Sequence, residues 1–213
     1  MAIVQSAVGM IEKRRKLFLV KRLIDIFISV MLLILLSPVL LLIAGAIWIT
    51  SGAPVVYNWK VVGKLGIPFT GHKFRTMVRG ADQMKQDLLH LNEMNGGPVF
   101  KVKDDPRITP IGRLLRKYSL DELPQLWNVL VGDMSLVGPR PPLQSEFDQF
   151  EEWQKRKLAV KPGMTSLWQV KGKPQDFNEW LQLDFEYIDH WSPWLDFKIL
   201  FWTAVVVVTG KNQ

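Results

Sequence analysis

Apolar residues dominate one continuous stretch near the N-terminus of this chain. No charged side chain occurs between Ile26 and Trp59, and only two serines, one proline and one glycine interrupt the run from Ile26 to Ile49. As a single helix, this run would measure about 36 Å, which exceeds the roughly 30 Å thickness of a bilayer's hydrocarbon core. The pattern therefore predicts a helical segment embedded in a membrane.

A Ser-Pro pair lies at the midpoint of the apolar run. Pro38 removes a backbone hydrogen bond and bends a helix, and the hydroxyl of Ser37 can bind a carbonyl that the bend sets free. Lysines and arginines flank the run on both sides, and such residues favour the cytoplasmic side of a membrane. Two interpretations remain open from the residues alone: an ordinary transmembrane helix, and a re-entrant helical hairpin that enters and leaves by the same face.

Shorter patterns after the apolar run predict a small α+β domain that is mainly helical. β-Branched and aromatic residues predict strands or extended segments at 55–59 and 67–77. Apolar spacing and turn residues predict helices at 81–94, 111–118, 120–131, 142–160 and 177–190. The apolar tail at 195–208 is too short to span a bilayer. It can pack in the core or, because tryptophans flank it, lie in the membrane interface, which we favour.

The charge is uneven along the chain. The net charge is +7, and six lysines and arginines against one glutamate precede residue 23. Anionic phospholipid attracts such a segment by about 1 kcal/mol per cation, whereas a nucleic-acid-binding arm would not run directly into a hydrophobic segment. We therefore predict an anionic membrane as a partner and no nucleic acid. The absence of cysteine excludes disulfides and thiolate metal sites.

Two adjacent carboxylates stand in a basic neighbourhood within the sequence Ser119-Leu120-Asp121-Glu122-Leu123-Pro124-Gln125. One explanation is a helix capping box, in which Ser119 and Glu122 bind free N–H groups at a helix start. That explanation gives no role to Asp121. Nearby cations favour ionised carboxylates, and an ionised carboxylate is what a nucleophile or a Mg²⁺ ligand needs.

Several cations are candidates for binding a phosphate. Lys73 and Arg75 would point to the same side if their segment is a strand. Arg107 follows a stiff Asp-Pro pair, and Arg140 stands between two prolines, which lowers the entropy that it loses on binding. For each of these side chains the alternative is a solvated surface charge, the usual state of an isolated lysine or arginine.

Several short motifs follow one another along the chain. They are Lys73-Phe74-Arg75-Thr76-Met77, Asp105-Pro106-Arg107-Ile108-Thr109, Ser119-Leu120-Asp121-Glu122-Leu123-Pro124-Gln125, Gly132-Asp133-Met134-Ser135-Leu136-Val137-Gly138-Pro139-Arg140-Pro141, Lys161-Pro162-Gly163-Met164-Thr165, Trp168-Gln169-Val170 and Trp194-Leu195-Asp196-Phe197-Lys198. From about Lys21 to Val208, this ordered set resembles the bacterial sugar transferases, the monotopic phosphoglycosyl transferases that begin exopolysaccharide, O-antigen and glycoprotein glycan assembly.

The resemblance implies a reaction and its two catalytic residues. A sugar 1-phosphate would pass from a UDP-sugar to undecaprenyl phosphate with Mg²⁺, releasing UMP, at the cytoplasmic face of the bacterial inner membrane. Asp121 would attack the β-phosphorus, hold the phosphosugar and bind Mg²⁺, and Glu122 would assist as a metal or base partner. The family's re-entrant membrane helix breaks at a Ser-Pro pair, which matches Ser37 and Pro38.

The resemblance also implies phosphate-binding roles for four cations and leaves one position in doubt. Lys73, Arg75, Arg116 and Arg140 match family positions expected to bind phosphates. Where many members have arginine, this chain has Lys173, which lacks the bidentate geometry of a guanidinium. We include Lys173 and Arg107 among the predicted phosphate-binding residues. The segment 95–101 is similar to that of members using glucose or galactose.

These predictions divide the chain into three parts. Residues 1–22 form a basic juxtamembrane segment, residues 23–52 a membrane-embedded re-entrant helix, and residues 53–213 a catalytic domain that includes an interfacial C-terminal helix at 194–208. The rival interpretations are a membrane-bound glycosyltransferase that releases UDP and a non-enzymatic membrane-anchored assembly partner. A homodimer that covers apolar surface near the membrane also stays open.

Overall fold

Two consecutive helices form the N-terminal part of the protein. The computed structural model describes residues 15–210, and in it α1 (Arg15–Leu35) and α2 (Ser37–Ser51) meet at an angle of 61°. Among the described residues, no single helix meets the length and hydropathy of a membrane span, but this bent pair meets them together. Residues 1–14 of the predicted basic segment lie outside the described residues.

The bend between the helices lies at the Ser-Pro pair. Leu36 has φ −89° and ψ 0°, and Pro38 occupies the first turn of α2, where the missing N–H of proline would be unpaired in any case. The hydroxyl of Ser37 donates to the carbonyl of Ile34 at 2.8 Å. The Ser-Pro pair is therefore a helix break in the structure, as the sequence predicts.

An antiparallel hairpin follows the two helices. Strand β1 (Val56–Val62) pairs with β2 (Pro68–Phe74) along its whole length, and a 3₁₀ turn at Lys64–Gly66 joins them. Both predicted strands are present, although β1 extends three residues beyond the predicted 55–59 and β2 ends three residues before the end of the predicted 67–77. Val61 is fully buried in the domain beneath the hairpin, so the hairpin forms one wall of the compact domain.

The rest of the described chain consists of short elements followed by two longer helices. The helices are a 3₁₀ helix (Gln83–Leu91), α3 (Pro110–Lys117), a 3₁₀ turn (Leu120–Glu122), α4 (Gln125–Val131), α5 (Gln144–Phe147), a 3₁₀ helix (Gln154–Ala159), α6 (Leu167–Val170), α7 (Phe177–His190) and α8 (Pro193–Thr209). Strands β3 (Ser135–Val137) and β4 (Gly163–Thr165) pair in parallel. The predicted mixture of helix and strand with helix dominant is confirmed.

Three apolar clusters hold these elements together. The largest joins α4, β3, α7 and α8 around Val129, Met134 and Ile199. A second cluster gathers aromatic rings of α6 and α7. In the third, Ile47 of α2 packs with Leu115 of α3, which fixes the N-terminal helix pair to the domain.

Three predicted helices differ from the structure, and the largest difference is at 142–160. The segment 142–160 forms α5 and a separate 3₁₀ helix instead of one amphipathic helix. The carboxylate of Glu146 accepts a hydrogen bond from the N–H of Leu143, and the side-chain carbonyl of Gln154 accepts one from the N–H of Glu151. Each of these bonds joins a backbone N–H to a side chain three residues later, which is typical of a helix start. The Gln154 bond therefore begins a new helical segment after α5. The predicted helix 81–94 is likewise a shorter 3₁₀ helix, and the predicted helix 120–131 divides at Pro124.

The C-terminal helix α8 has a buried face and an exposed face. Asp196 and Ile199 are buried in the domain, whereas Trp194, Phe197 and Trp202 are each more than half exposed. Helix α8 therefore serves partly as a core element, and its aromatic side lies outside the core.

Candidate active site

The two adjacent carboxylates lie in a tight turn between α3 and α4. The 3₁₀ turn Leu120–Glu122 follows Ser119, whose φ of 51° lies in the left-handed region that side chains other than glycine seldom adopt. Asp121 is buried, with 8% of its surface exposed. Backbone in such a conformation persists where the surrounding packing enforces it, and it is concentrated at functional sites.

The capping-box explanation of this turn is wrong. The Ser119 side chain makes no capping hydrogen bond. The carboxylate of Glu122 instead accepts a hydrogen bond of 2.8 Å from Lys73 Nζ, which comes from strand β2. Lys73 Nζ also lies 4.5 Å from the ring centroid of Trp59 in β1. The hairpin therefore positions one cation directly against the carboxylate pair.

Arg116 approaches the pair from α3. Its Nε donates to the hydroxyl of Thr76 at 2.9 Å, which orients the guanidinium. Its positive charge acts on the carboxyl of Asp121. Because α3 ends immediately before the turn that contains Asp121, Arg116 lies close to this carboxyl through chain connectivity as well as through packing.

Two loops bring Arg140 and Lys173 close to the carboxylate pair. The positive charges of both side chains act on Glu122. The guanidinium of Arg140 lies 5.7 Å from the ring centroid of Trp180, and it donates no hydrogen bond to any residue from 15 to 210. Its N–H groups are therefore available to a ligand. Lys173 has φ 51°, so this loop also contains a left-handed residue.

Lys101 is a further cation here that the sequence analysis did not identify. Its charge acts on Lys173, and that of Arg140 acts on Lys101. Lys101 Nζ lies 6.0 Å from the ring centroid of Trp168, which stacks on Trp180 at 4.3 Å. One aromatic pair therefore contacts both Lys101 and Arg140. The resemblance of segment 95–101 to hexose-using members pointed to this region, although not to the lysine.

Arg75 lies apart from the carboxylate pair. Strand β2 ends at Phe74, and Arg75 contacts the end of α2 whereas Lys73 contacts Glu122. Its Nη2 donates to the carbonyls of Ser51 at 2.7 Å and Gly52 at 2.5 Å. These are carbonyls at the C-terminal end of α2, so Arg75 holds the end of the N-terminal helix pair.

Arg107 is engaged in a buried ion pair. Its guanidinium binds the carboxylate of Asp105, with Nη2 2.5 Å from Oδ2 and Nε 2.9 Å from Oδ1, and it donates to the carbonyl of Ala81 at 3.0 Å. Both partners of the ion pair are about 95% buried. The structure therefore brings Lys73, Arg116, Arg140 and Lys173 to the carboxylates, and gives Arg75 and Arg107 partners within the protein.

The two carboxyl groups differ in their tendency to ionise. Burial raises the pKa of Asp121, and the neighbouring charge of Glu122 raises it further, against the opposing effect of Lys73 and Arg116. Burial acts in the same direction on Glu122, but the charge and hydrogen bond of Lys73 outweigh it and lower the pKa of Glu122. The cations therefore favour ionisation of both carboxyl groups, and their effect outweighs burial at Glu122 but not at Asp121.

Asp121 and Glu122 could hold a metal ion whose remaining ligands come from a substrate. Among residues 15–210, no group of three or more histidine, aspartate or glutamate side chains is arranged to hold a metal ion by itself. Mg²⁺ commonly takes one or two carboxylates and completes its shell with water and substrate phosphates. Asp121 and Glu122 offer that set of oxygen donors.

Sequence comparison assigns the protein to a family. The family described as bacterial sugar transferase matches residues 16–210, which is nearly the whole chain. The chain belongs to the bacterial sugar transferase family. The resemblance that the ordered motifs indicated is thereby confirmed, and the carboxylate pair of this sugar transferase lies within the matched region.

Curated relatives of this sugar transferase have names that refer to sugar transfer, and two of the three reported below also name undecaprenyl phosphate. It is 49% identical over 164 residues to "Galactosyl transferase CpsE" of Streptococcus agalactiae, covering 76% of this chain and 36% of that protein. It is 43% identical over 202 residues to "Undecaprenyl-phosphate galactose phosphotransferase" of Salmonella typhimurium, covering 93% and 42%. It is 39% identical over 201 residues to "UDP-glucose:undecaprenyl-phosphate glucose-1-phosphate transferase" of Klebsiella pneumoniae, covering 90% and 41%. The chain thus spans about two fifths of the length of these relatives.

Proposed function

We propose that this sugar transferase is a phosphoglycosyl transferase. It transfers hexose 1-phosphate from UDP-glucose or UDP-galactose to undecaprenyl phosphate and releases UMP, as the first membrane step of exopolysaccharide or O-antigen assembly. The observation that supports this most directly is the buried Asp121 beside an ionised Glu122, within a group of cations from separate segments. Cations that converge on two carboxylates can bind the phosphates of both substrates.

The proposed reaction proceeds in two displacements at one phosphorus. A carboxylate oxygen of Asp121 bonds to the β-phosphorus while the bond from that phosphorus to the bridging oxygen breaks. UMP leaves with the bridging oxygen and its electron pair, and the sugar phosphate stays on Asp121 as an acyl phosphate. A phosphate oxygen of undecaprenyl phosphate then attacks the same phosphorus, and the bond to Asp121 breaks. Two steps allow each anionic substrate to react without the other present.

The surrounding side chains lower the electrostatic cost of these steps. Arg116, Arg140 and Lys173 offer positive charge to the phosphoryl oxygens, on which negative charge develops. Lys73 keeps Glu122 ionised, so Glu122 is available as a metal ligand or base partner. Bound through Asp121 and Glu122, Mg²⁺ would supply Lewis-acid stabilisation of the diphosphate oxygens.

We further propose that α1 and α2 form a re-entrant hairpin in the bacterial inner membrane, with the catalytic domain on the cytoplasmic face. Leu23, Phe27, Ile34, Leu41 and Ile49 are each at least two-thirds exposed. Apolar surface of this extent is typical of a membrane or protein contact. The exposed aromatic side of α8 would lie in the same interface.

The hairpin has a direct topological test. Cysteines introduced at position 5 and, separately, in place of Lys60 should both be shielded from an impermeant thiol reagent applied outside intact cells. Labelling of one position and not the other would mean that the helix pair spans the membrane.

The proposed reaction is tested by the nucleotide that it releases. Purified full-length protein is supplied with Mg²⁺, undecaprenyl phosphate and a panel of UDP-sugars. We expect UMP that depends on the lipid, loss of activity in Asp121→Asn, a strong decrease in Glu122→Gln, and no change in Asp104→Asn, which replaces an exposed acid. Acid quenching should trap the phosphosugar on Asp121 when the lipid is omitted.

Two other outcomes would favour the rival functions. Release of UDP instead of UMP would identify a glycosyltransferase and exclude the covalent step on Asp121. If Asp121→Asn cells make normal amounts of surface polysaccharide at an equal protein level, the chain is a non-enzymatic assembly partner.

A further inference from the structure

A second site lies where α1 joins the domain. A cavity of about 350 Å³ opens between the first turns of α1, strand β3 and the segment before β4, within the range of about 300–1,000 Å³ that is typical of small-molecule pockets. Its lining does not include Asp121, Glu122 or Arg140. The cavity is therefore distinct from the candidate active site.

The cavity is strongly positive. Lys21, Arg22, Lys64 and Lys161 line it, and Asp25 is the acidic side chain among its lining residues. The carboxylate of Asp25 already accepts a hydrogen bond from a backbone N–H of β3 at 3.1 Å. Asp196, from outside this lining, neutralises Lys21, and the other three cations around Asp25 leave a positive excess that a bound anion would reduce.

Two of these cations have partners within the protein, and two are available to a ligand. Lys21 binds the carboxylate of Asp196 at 2.6 Å. Arg22 donates to two carbonyls at the end of α4, at 2.5 and 2.7 Å. Lys64 and Lys161 donate no hydrogen bond to any residue from 15 to 210. Burial lowers the pKa of Lys161, and the charges of Arg22 and Lys64 also lower it, while those of Asp25 and Asp133 oppose the shift. An anion bound here would reduce the repulsion among the cations.

The remaining walls of the cavity are mainly apolar, with hydroxyl groups from Ser135 and Tyr187. Phe18 stacks on Trp191 with ring centroids 4.0 Å apart, and Leu19 and Val160 complete this side. Leu19 is 59% exposed and continues into the exposed apolar face of α1. A ligand that suits both sides has a phosphate at one end and an alkyl chain at the other.

We propose that this cavity binds the phosphate headgroup of an anionic bilayer phospholipid, with Lys64 and Lys161 on the phosphate and the acyl chains along α1. The site anchors the domain to the membrane and orients it. An acceptor-substrate site would require a path to Asp121, and no residue of the carboxylate site lines this cavity. Lipid binding therefore does not depend on the proposed catalytic function, and an Asp121→Asn variant should bind the phospholipid as the natural chain does.

The test measures lipid retention by the purified full-length chain in detergent. Native mass spectrometry is recorded with phosphatidylglycerol and with phosphatidylcholine at equal concentration. We expect phosphatidylglycerol to bind at least about tenfold more tightly. Lys161→Gln and Lys64→Gln should each weaken that binding about tenfold, Lys161→Arg should retain it, and Lys60→Gln, an exposed lysine of β1, should leave it unchanged.

Several results would overturn the proposal. One is equal binding of the two lipids, and another is unchanged retention in both glutamine variants. Complete displacement of phosphatidylglycerol by about 1 mM inorganic phosphate would identify a site for soluble phosphate instead. Displacement by an equal amount of undecaprenyl phosphate would identify an acceptor-substrate site. Circular dichroism confirms folding of each variant, and Lys64→Gln, in the partly exposed hairpin turn, provides the test if Lys161→Gln does not fold.

Discussion

Lys173 should limit donor binding at alkaline pH. Burial lowers its pKa from 10.5 to about 8, with a further contribution from the charge of Lys101, while the charge of Glu122 opposes the shift. At 1.36 kcal/mol per pKa unit, this shift corresponds to about 3 kcal/mol of unfavourable charging. The value is an upper figure because water that reaches the side chain screens its charge. A bound diphosphate would offset much of this cost, because its negative charge stabilises the protonated form of Lys173.

The direction of the pH effect follows from the charge of the ammonium group. Below pH 8 Lys173 is protonated and can bind a diphosphate directly. Above pH 8 it is neutral in the free protein, so donor binding must take up a proton. The affinity should therefore fall by up to about tenfold per pH unit above 8, until the pKa of the bound state is reached.

The assay is titration calorimetry with UDP-glucose and Mg²⁺ from pH 6.5 to 9.5, in buffers of different ionisation enthalpy that report proton uptake. Lys173→Arg should remove both the alkaline decline and the proton uptake, because a guanidinium stays charged throughout. Lys101→Arg, a matched change at the neighbouring cation, should keep both. A wild-type affinity that is constant to pH 9.5, or an unchanged decline in Lys173→Arg, would refute this reasoning.

Three further predictions concern the fold around the site. Arg75→Ala removes both hydrogen bonds to carbonyls at the end of α2 and should lower the free energy of unfolding by about 2–3 kcal/mol; an unchanged thermal midpoint would contradict this role. Gly163→Ala puts a Cβ 2.0 Å from a backbone nitrogen, so the yield of folded protein should collapse. Gly45→Ala has open space around its Cβ and should instead stabilise α2 by about 0.5–1 kcal/mol, and equal yields of the two variants would count against this packing. Asp196→Ala leaves the mostly buried Lys21 without its carboxylate and should cost about 3–5 kcal/mol in chemical denaturation; a loss below about 1 kcal/mol would place the pair among ordinary surface ion pairs.

Residues close together in the chain were sufficient to predict the boundaries of several helices. Helix α7 begins and ends where its pattern predicts, because Asp176 accepts hydrogen bonds from the N–H groups of Asn178 and Glu179 and so caps the helix start. The break at Pro38 follows in the same way from the backbone chemistry of one residue. Such features depend on neighbours in the chain and can be predicted without knowledge of the fold.

Other elements depended on contacts that periodicity does not describe. The predicted helix at 142–160 has suitable apolar spacing, yet the side chain of Gln154 accepts a hydrogen bond from the N–H of Glu151 and starts a new helical segment after α5. Lys157, within the same segment, forms a buried ion pair with Asp184 of α7 at 2.8 Å. The segment is therefore held by tertiary contacts in a conformation that its own propensity does not favour.

The sequence by itself determined that an apolar helix breaks at Pro38 and that two carboxylates, Asp121 and Glu122, stand in basic surroundings. Hydropathy, proline geometry and chain neighbours decide these features, and all three are local. Only the tertiary structure decided which cations lie at the carboxylates: Lys73 binds Glu122, whereas Arg75, two residues later, holds the end of α2. A charged side chain's partner depends on distance and burial after folding, and residues far apart in the chain share no local signal that specifies either quantity.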